Sequence, residues 1–174
     1  MTDRFAHHLR LDQIRGGERL DLVADDAERR NVAERLGLNS LGRLEAHVKL
    51  VKSGPRVRAE GRIAATLDQS CVVTGELVAA HVDQPFTLLF VPAPESSSPD
   101  EEIELGEEDC DTVFYDGAAI DLGGAIADTL ALSIDPYPRS ASADAALKEA
   151  GVLSEDQASP FAMLARLKKG EGKT

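Results

Sequence analysis

Between Leu44 and Asp68 the chain alternates apolar and polar residues almost without a break. Leu44, Ala46, Val48 and Leu50 alternate with Glu45, His47, Lys49 and Val51. After Ser53-Gly54-Pro55, Val57, Ala59, Gly61, Ile63, Ala65 and Leu67 alternate with Arg56, Arg58, Glu60, Arg62, Ala64, Thr66 and Asp68. Successive side chains of an extended chain point to opposite faces, so this period of two predicts a hairpin with one buried and one wet face. A third strand is predicted from Leu77 to Val91, with Val78, Ala80, Val82, Phe86, Leu88 and Phe90 turned inward. Pro85 has no N–H to give to a ladder, so it marks an edge or a bulge in that strand. Two hairpins in succession make an antiparallel meander.

The flanks change period. Phe5–Leu11 and Arg19–Ala24 read as short strands on either side of the Gly16-Gly17 turn. Asp25 or Asp26 can cap a helix on which Ala27, Val32, Ala33 and Leu36 recur at helical spacing, with Gly37 placed to end it. Order resumes at Val113-Phe114-Tyr115. Asp121 then caps a second helix that carries Leu122, Ile126, Leu130 and Ile134 on one stripe and should cover the sheet. Asp135-Pro136-Tyr137-Pro138 must be extended, because a residue before proline is pushed out of the helical region. A small helix is predicted over 143–150. In SPFAMLARLKK, Ser159 caps, Pro160 sets the first turn, and Lys168 and Lys169 meet the negative end of the helix dipole.

These patterns predict an α+β fold: an antiparallel, strongly curved β-sheet with one or two covering helices. Residues 1–135 form the domain, including an acidic disordered loop at 92–112. Residues 136–174 form an extended and helical C-terminal tail. The loop is predicted because Ser, Pro and like charges from Pro92 to Asp111 leave little to bury.

Composition adds a compartment and a charge pattern. The first residues mix charges with no apolar core of a signal peptide, and no apolar run approaches the roughly 20 residues needed to cross a bilayer. A cytoplasmic protein without membrane contact is expected, and in a reducing compartment Cys71 and Cys110 are free thiols. The net charge of −12 argues against a protein that coats nucleic acid. Its distribution argues otherwise. From Arg29 to Arg62 nine Lys and Arg stand against Glu34, Glu45 and Glu60, whereas twelve acids and no base lie between Glu95 and Asp128.

Candidate chemistry is sparse. Cys71-Val72-Val73-Thr74 sits at a turn where a zinc knuckle would place its first ligand pair, but a structural site needs four ligands and no partner CxxC occurs, so neither metal nor cofactor is expected. There is no glycine-rich phosphate loop, GxSxG elbow or HExxH, and a non-enzymatic protein is expected. What the alternation does assemble is a wet face carrying Lys49, Arg56, Arg58 and Arg62, which could hold phosphates. In the tail, Phe161, Leu164 and Leu167 share one stripe beside Lys168 and Lys169, which needs a surface to bury against: either its own domain or, the favoured reading, a partner's groove.

Taken in order, CVVTGELV, PFTLLFVP, the acidic stretch, FYDGAAIDLGGAIADTLALSIDPYP and the terminal SPFAMLARLKK resemble the YceD family of large ribosomal RNA subunit accumulation proteins, over roughly Arg58 to Lys169. Family members often carry a second cysteine where Thr74 stands here. The resemblance implies a role in accumulation or maturation of large-subunit (23S) ribosomal RNA, with ribosomal proteins or assembly factors nearby. Two binding readings follow. In the first the basic face contacts RNA directly; in the second the acidic segment acts as a chaperone for a basic ribosomal protein or assembly factor, without RNA contact.

Overall fold

The computed structural model describes Phe5, residues 7–93 and residues 111–152. The acidic stretch 94–110, with Cys110, and the tail from residue 153 onward, with Phe161, Leu164, Leu167, Lys168 and Lys169, lie outside the described residues. The chain forms two units, one of Met1–Gln69 with Ala79–Pro136 and one of Ser70–Val78 with Tyr137–Thr174.

Seven strands and three helices are described: β1 (His8–Arg10), β2 (Glu18–Val23), α1 (Asp26–Leu36), β3 (Ser40–Ser53), β4 (Arg56–Ser70), β5 (Leu77–Pro92), β6 (Thr112–Tyr115), β7 (Ala119–Asp121), α2 (Leu122–Ser133) and α3 (Ala143–Glu149). Five strands form one sheet in the order β2-β3-β4-β5-β6, and β1 pairs with β7. The period-two stretch is the centre of this sheet. Leu44, Ala46, Val48, Leu50, Val57, Ala59, Ile63, Ala65 and Leu67 are all buried, while His47, Lys49, Arg56, Arg58 and Arg62 are exposed. β3 and β4 pair antiparallel from Ser53↔Arg56 to Ser40↔Asp68, with one shift between Leu41 and Arg43. β2 pairs antiparallel with the other side of β3.

Two expectations need correction. The sheet is not wholly antiparallel, because β6 joins β5 in parallel, Val91 opposite Phe114. A parallel neighbour needs a crossover of about a dozen residues or more, and residues 93–111 supply one. The strong curvature is likewise not observed: β2 and β6 are separate edges of an open sheet, and its long central hairpin carries a single register irregularity where strong bending would draw on several.

The first unit has one aliphatic core. Val32 and Ala33 of α1, together with Leu122, Ile126, Ala127 and Leu130 of α2, join the inner residues of the sheet and Phe86 and Phe90 of β5. α1 starts where predicted because the Asp25 carboxylate accepts from the N–H groups of Ala27 and Glu28, both at 2.8 Å, while Glu28 accepts from the Asp25 N–H. α2 is held by Asp121 accepting from the Gly124 N–H at 2.9 Å. Along β5, Asp83, Gln84 and Pro85 are exposed in succession, the interruption expected at Pro85.

Candidate nucleic-acid interface

The outer face of the sheet is built by register. β3 places Lys49 between Arg19 of β2 and Glu60 of β4, and His47 between Asp21 and Arg62. Val51 stands opposite Arg58, and Ser53 opposite Arg56 at the end of the hairpin. Lys49, Arg56, Arg58 and Arg62 therefore share one exposed face, as their spacing requires.

Ion pairs divide this set. Arg62 is held by β5, its Nε donating to Asp83 Oδ1 at 2.5 Å. That bond keeps the Asp83 carboxyl below the usual carboxylate range and raises the Arg62 guanidinium. Arg43 is similarly tied to Glu45. Arg58 has Glu60 at 3.6 Å, a looser pair between half-exposed side chains. Among the described residues Arg19, Lys49 and Arg56 have no ion pair. Arg19 and Lys49 sit directly opposite each other as like charges, and Glu60, on the other side of Lys49, has its ion pair with Arg58. Free positive charge thus collects toward the β3–β4 hairpin end of the sheet, with Lys52 drawn away to the Leu11 carbonyl.

Two residues of this face escaped the sequence reading. Arg19 alternates with Leu20 and Leu22 and was recoverable from period two, but its neighbour Lys49 is revealed only by the β2–β3 register. Phe114 is 55% exposed on β6. Its parallel partner Val91 is out of phase with the buried Leu88 and Phe90, so Phe114 projects from the outer face, while its neighbour Tyr115 turns inward. The Tyr115 hydroxyl donates to the Pro55 carbonyl at 2.5 Å, which fixes the end of β6 against the β3–β4 turn.

The second unit contains the Cys71 turn. The turn closes through the Cys71 N–H to the Glu76 carbonyl at 2.7 Å. The sulfur is buried and accepts from the backbone N–H groups of Thr74 at 3.4 Å and Ser140 at 3.2 Å. Burial pushes the thiol up, but the hydrogen bonds from Ser140 and Thr74 together outweigh it and bring the Cys71 pKa to about 6. Around it the hydroxyls of Thr74, Ser140 and Ser142 form a chain that ends on Glu76, whose carboxyl they hold below its usual range. Thr74, standing at the second position of the CxxC spacing, presents a hydroxyl to this chain and its N–H to the sulfur. Among the described residues no cluster of three or more His, Cys, Asp or Glu is arranged to hold a metal ion.

In the first unit a cleft of about 530 Å³ runs along α1 beside Leu38 and Ser40. Its Arg29 is bound to Asp26 and donates to the Ala24 carbonyl at 2.9 Å, so its charge is already committed.

The sequence profile described as large ribosomal RNA subunit accumulation protein YceD matches residues 59–168, well over half of the chain. The match takes in Arg62 and Phe114, while Arg19, Lys49, Arg56 and Arg58 precede it. No curated protein and no solved structure matches the chain.

Proposed function

The chain belongs to the YceD family, whose description ties it to accumulation of large-subunit ribosomal RNA, and on that premise we propose that it acts by binding this RNA directly through the outer face of its sheet. The observation that carries the reading is the set of exposed cations without an ion pair among the described residues, Arg19, Lys49 and Arg56, joined by the loosely paired Arg58. Phosphate contacts supply most of the affinity of proteins for nucleic acid, and a local cationic face can serve even where the net charge is −12, because exposed charges farther than about 8 Å away are largely screened at physiological salt. Arg62 plays a smaller part, since binding a phosphate would require it to leave Asp83. The protein works as a cytoplasmic binding module rather than an enzyme. The Phe161, Leu164, Leu167, Lys168 and Lys169 stripe gives it a second contact, to ribosomal proteins or assembly factors.

The test is the salt dependence of binding to a large-subunit RNA fragment. Substituting Arg19, Lys49, Arg56 and Arg58 together by Gln should weaken binding and reduce the slope of log K against log salt by about three, at roughly 0.7 to 0.9 per phosphate contact. Arg62→Gln alone should change the slope by about half a unit or less. An unchanged slope in the quadruple variant would refute direct contact through this face.

A further inference from the structure

Resting on the RNA-binding reading of this face, we infer that its ligand is unpaired RNA, with one base stacked on Phe114. Aromatic residues make up only 4% of the chain, and among the described residues of the first unit Phe5, Phe86, Phe90 and Tyr115 are all buried. Phe114 alone of these is turned to solvent, on an edge strand where an exposed apolar side chain invites unwanted pairing. Its position relates it to the free cations. β6 lies two strand spacings, about 10 Å, from β4, and the Tyr115–Pro55 hydrogen bond anchors it to the turn from which Arg56 and Arg58 emerge on the same face.

An aromatic ring set beside a cationic track is the arrangement that single-stranded nucleic acid uses: the phosphates follow the charges and a base lays its π face on the ring. A continuous duplex cannot do this. Its bases are stacked on each other, and an A-form helix presents phosphates and hydroxyls to a protein rather than base faces. The cations serve both kinds of RNA, whereas Phe114 discriminates between them.

Fluorescence anisotropy with a labelled single-stranded oligoribonucleotide and with the same strand in a duplex tests the assignment. Phe114→Ala should weaken single-strand binding by about ten- to a hundredfold and leave both duplex binding and the salt slope unchanged. Phe114→Trp should restore single-strand binding, which a merely structural role for this exposed residue would not predict. Lys49→Gln with Arg56→Gln should weaken both ligands and lower the slope, so the two parts of the face separate. Wild-type single-strand affinity in Phe114→Ala, with affinity still lost in the Lys49 and Arg56 variant, would overturn stacking while leaving the RNA face intact. Indifference of both ligands to the charge variant would overturn the RNA face and stacking with it. Unchanged RNA affinity in Phe114→Ala together with loss of a co-purifying protein would assign the ring to a protein contact and equally overturn the inference.

Discussion

Replacing Gly61 with alanine should destabilise the fold by about 2–4 kcal/mol. Gly61 stands in the middle of β4 opposite Val48, and a Cβ built there would lie 2.2 Å from the His47 carbonyl oxygen and 3.1 Å from Phe86 Cζ. Ordinary contact begins near 3.4 Å, so the carbonyl would have to retreat by about 1.2 Å. That atom belongs to the β3 backbone, which is paired on both sides, and moving it lengthens ladder hydrogen bonds worth about 1 kcal/mol each. Crowding the core adds roughly 1–3 kcal/mol, and the lower entropy of an unfolded alanine chain returns only about 0.4–1 kcal/mol. Urea unfolding followed by circular dichroism measures the change, and in a chain of this length the melting temperature should fall by roughly 5–15 °C. A double-mutant cycle with Phe86→Leu should show coupling under about 1 kcal/mol, because the closest atom is backbone rather than ring. Gly16→Ala is the control: among the described residues nothing lies within 4 Å of its Cβ, and its stability should stay within about 0.5 kcal/mol. A Gly61→Ala protein as stable as the wild type would refute the close approach of β3 and β4 at this position.

The Cys71 thiol should titrate near pH 6 when thiolate absorbance is followed in a Cys110→Ser background, and a midpoint at 8 or above would contradict the hydrogen bonds to its sulfur. Its folded pKa is depressed from 9.0, so the thiolate's contribution to stability is complete above pH 9 and lost as pH falls through about 6; the stability advantage over Cys71→Ser should shrink across that window. Asp83→Asn removes the carboxylate that holds Arg62, and should raise affinity for single-stranded RNA two- to threefold and steepen the salt slope by about 0.7. No change in either quantity would show that Arg62 does not reach the ligand even when released.

Much of the fold was legible because it is written in local rules. Period two marked β3, β4 and β5 and assigned the faces of Lys49, Arg56, Arg58 and Arg62; the Asp25-Asp26 pair and Asp121 announced the starts of α1 and α2. What escaped depends on pairings between distant segments. Nothing in Val113-Phe114-Tyr115 says that it runs parallel to β5, and nothing in His8-Leu9-Arg10 names Ala119–Asp121 as its partner. The candidate face was half visible for the same reason. Alternation says which residues look outward, but only cross-strand register shows that Asp83 claims Arg62 while Arg19 and Lys49 confront each other. Val113-Phe114-Tyr115 reads only as a return of order, because hydrophobicity alone cannot distinguish the two sides of an edge strand and so does not single out Phe114 as the exposed residue.

The parallel placement of β6 also bears on the order in which the molecule can assemble. β2 through β5 are linked by short connections or by a single helix, so their contacts can form early from near neighbours in sequence. β6 must wait for the chain to close residues 93–111 against a finished β5 edge, a closure whose length-dependent part is roughly 2.5 kcal/mol. It also has only four residues with which to recover that loss. Phe114 rides on this last strand, whereas Lys49 and Arg56 belong to the first hairpin. The cationic half of the face can therefore exist before its aromatic half, so that, on the proposed RNA-binding reading, a nascent chain would meet RNA first through charge and only afterwards through base recognition.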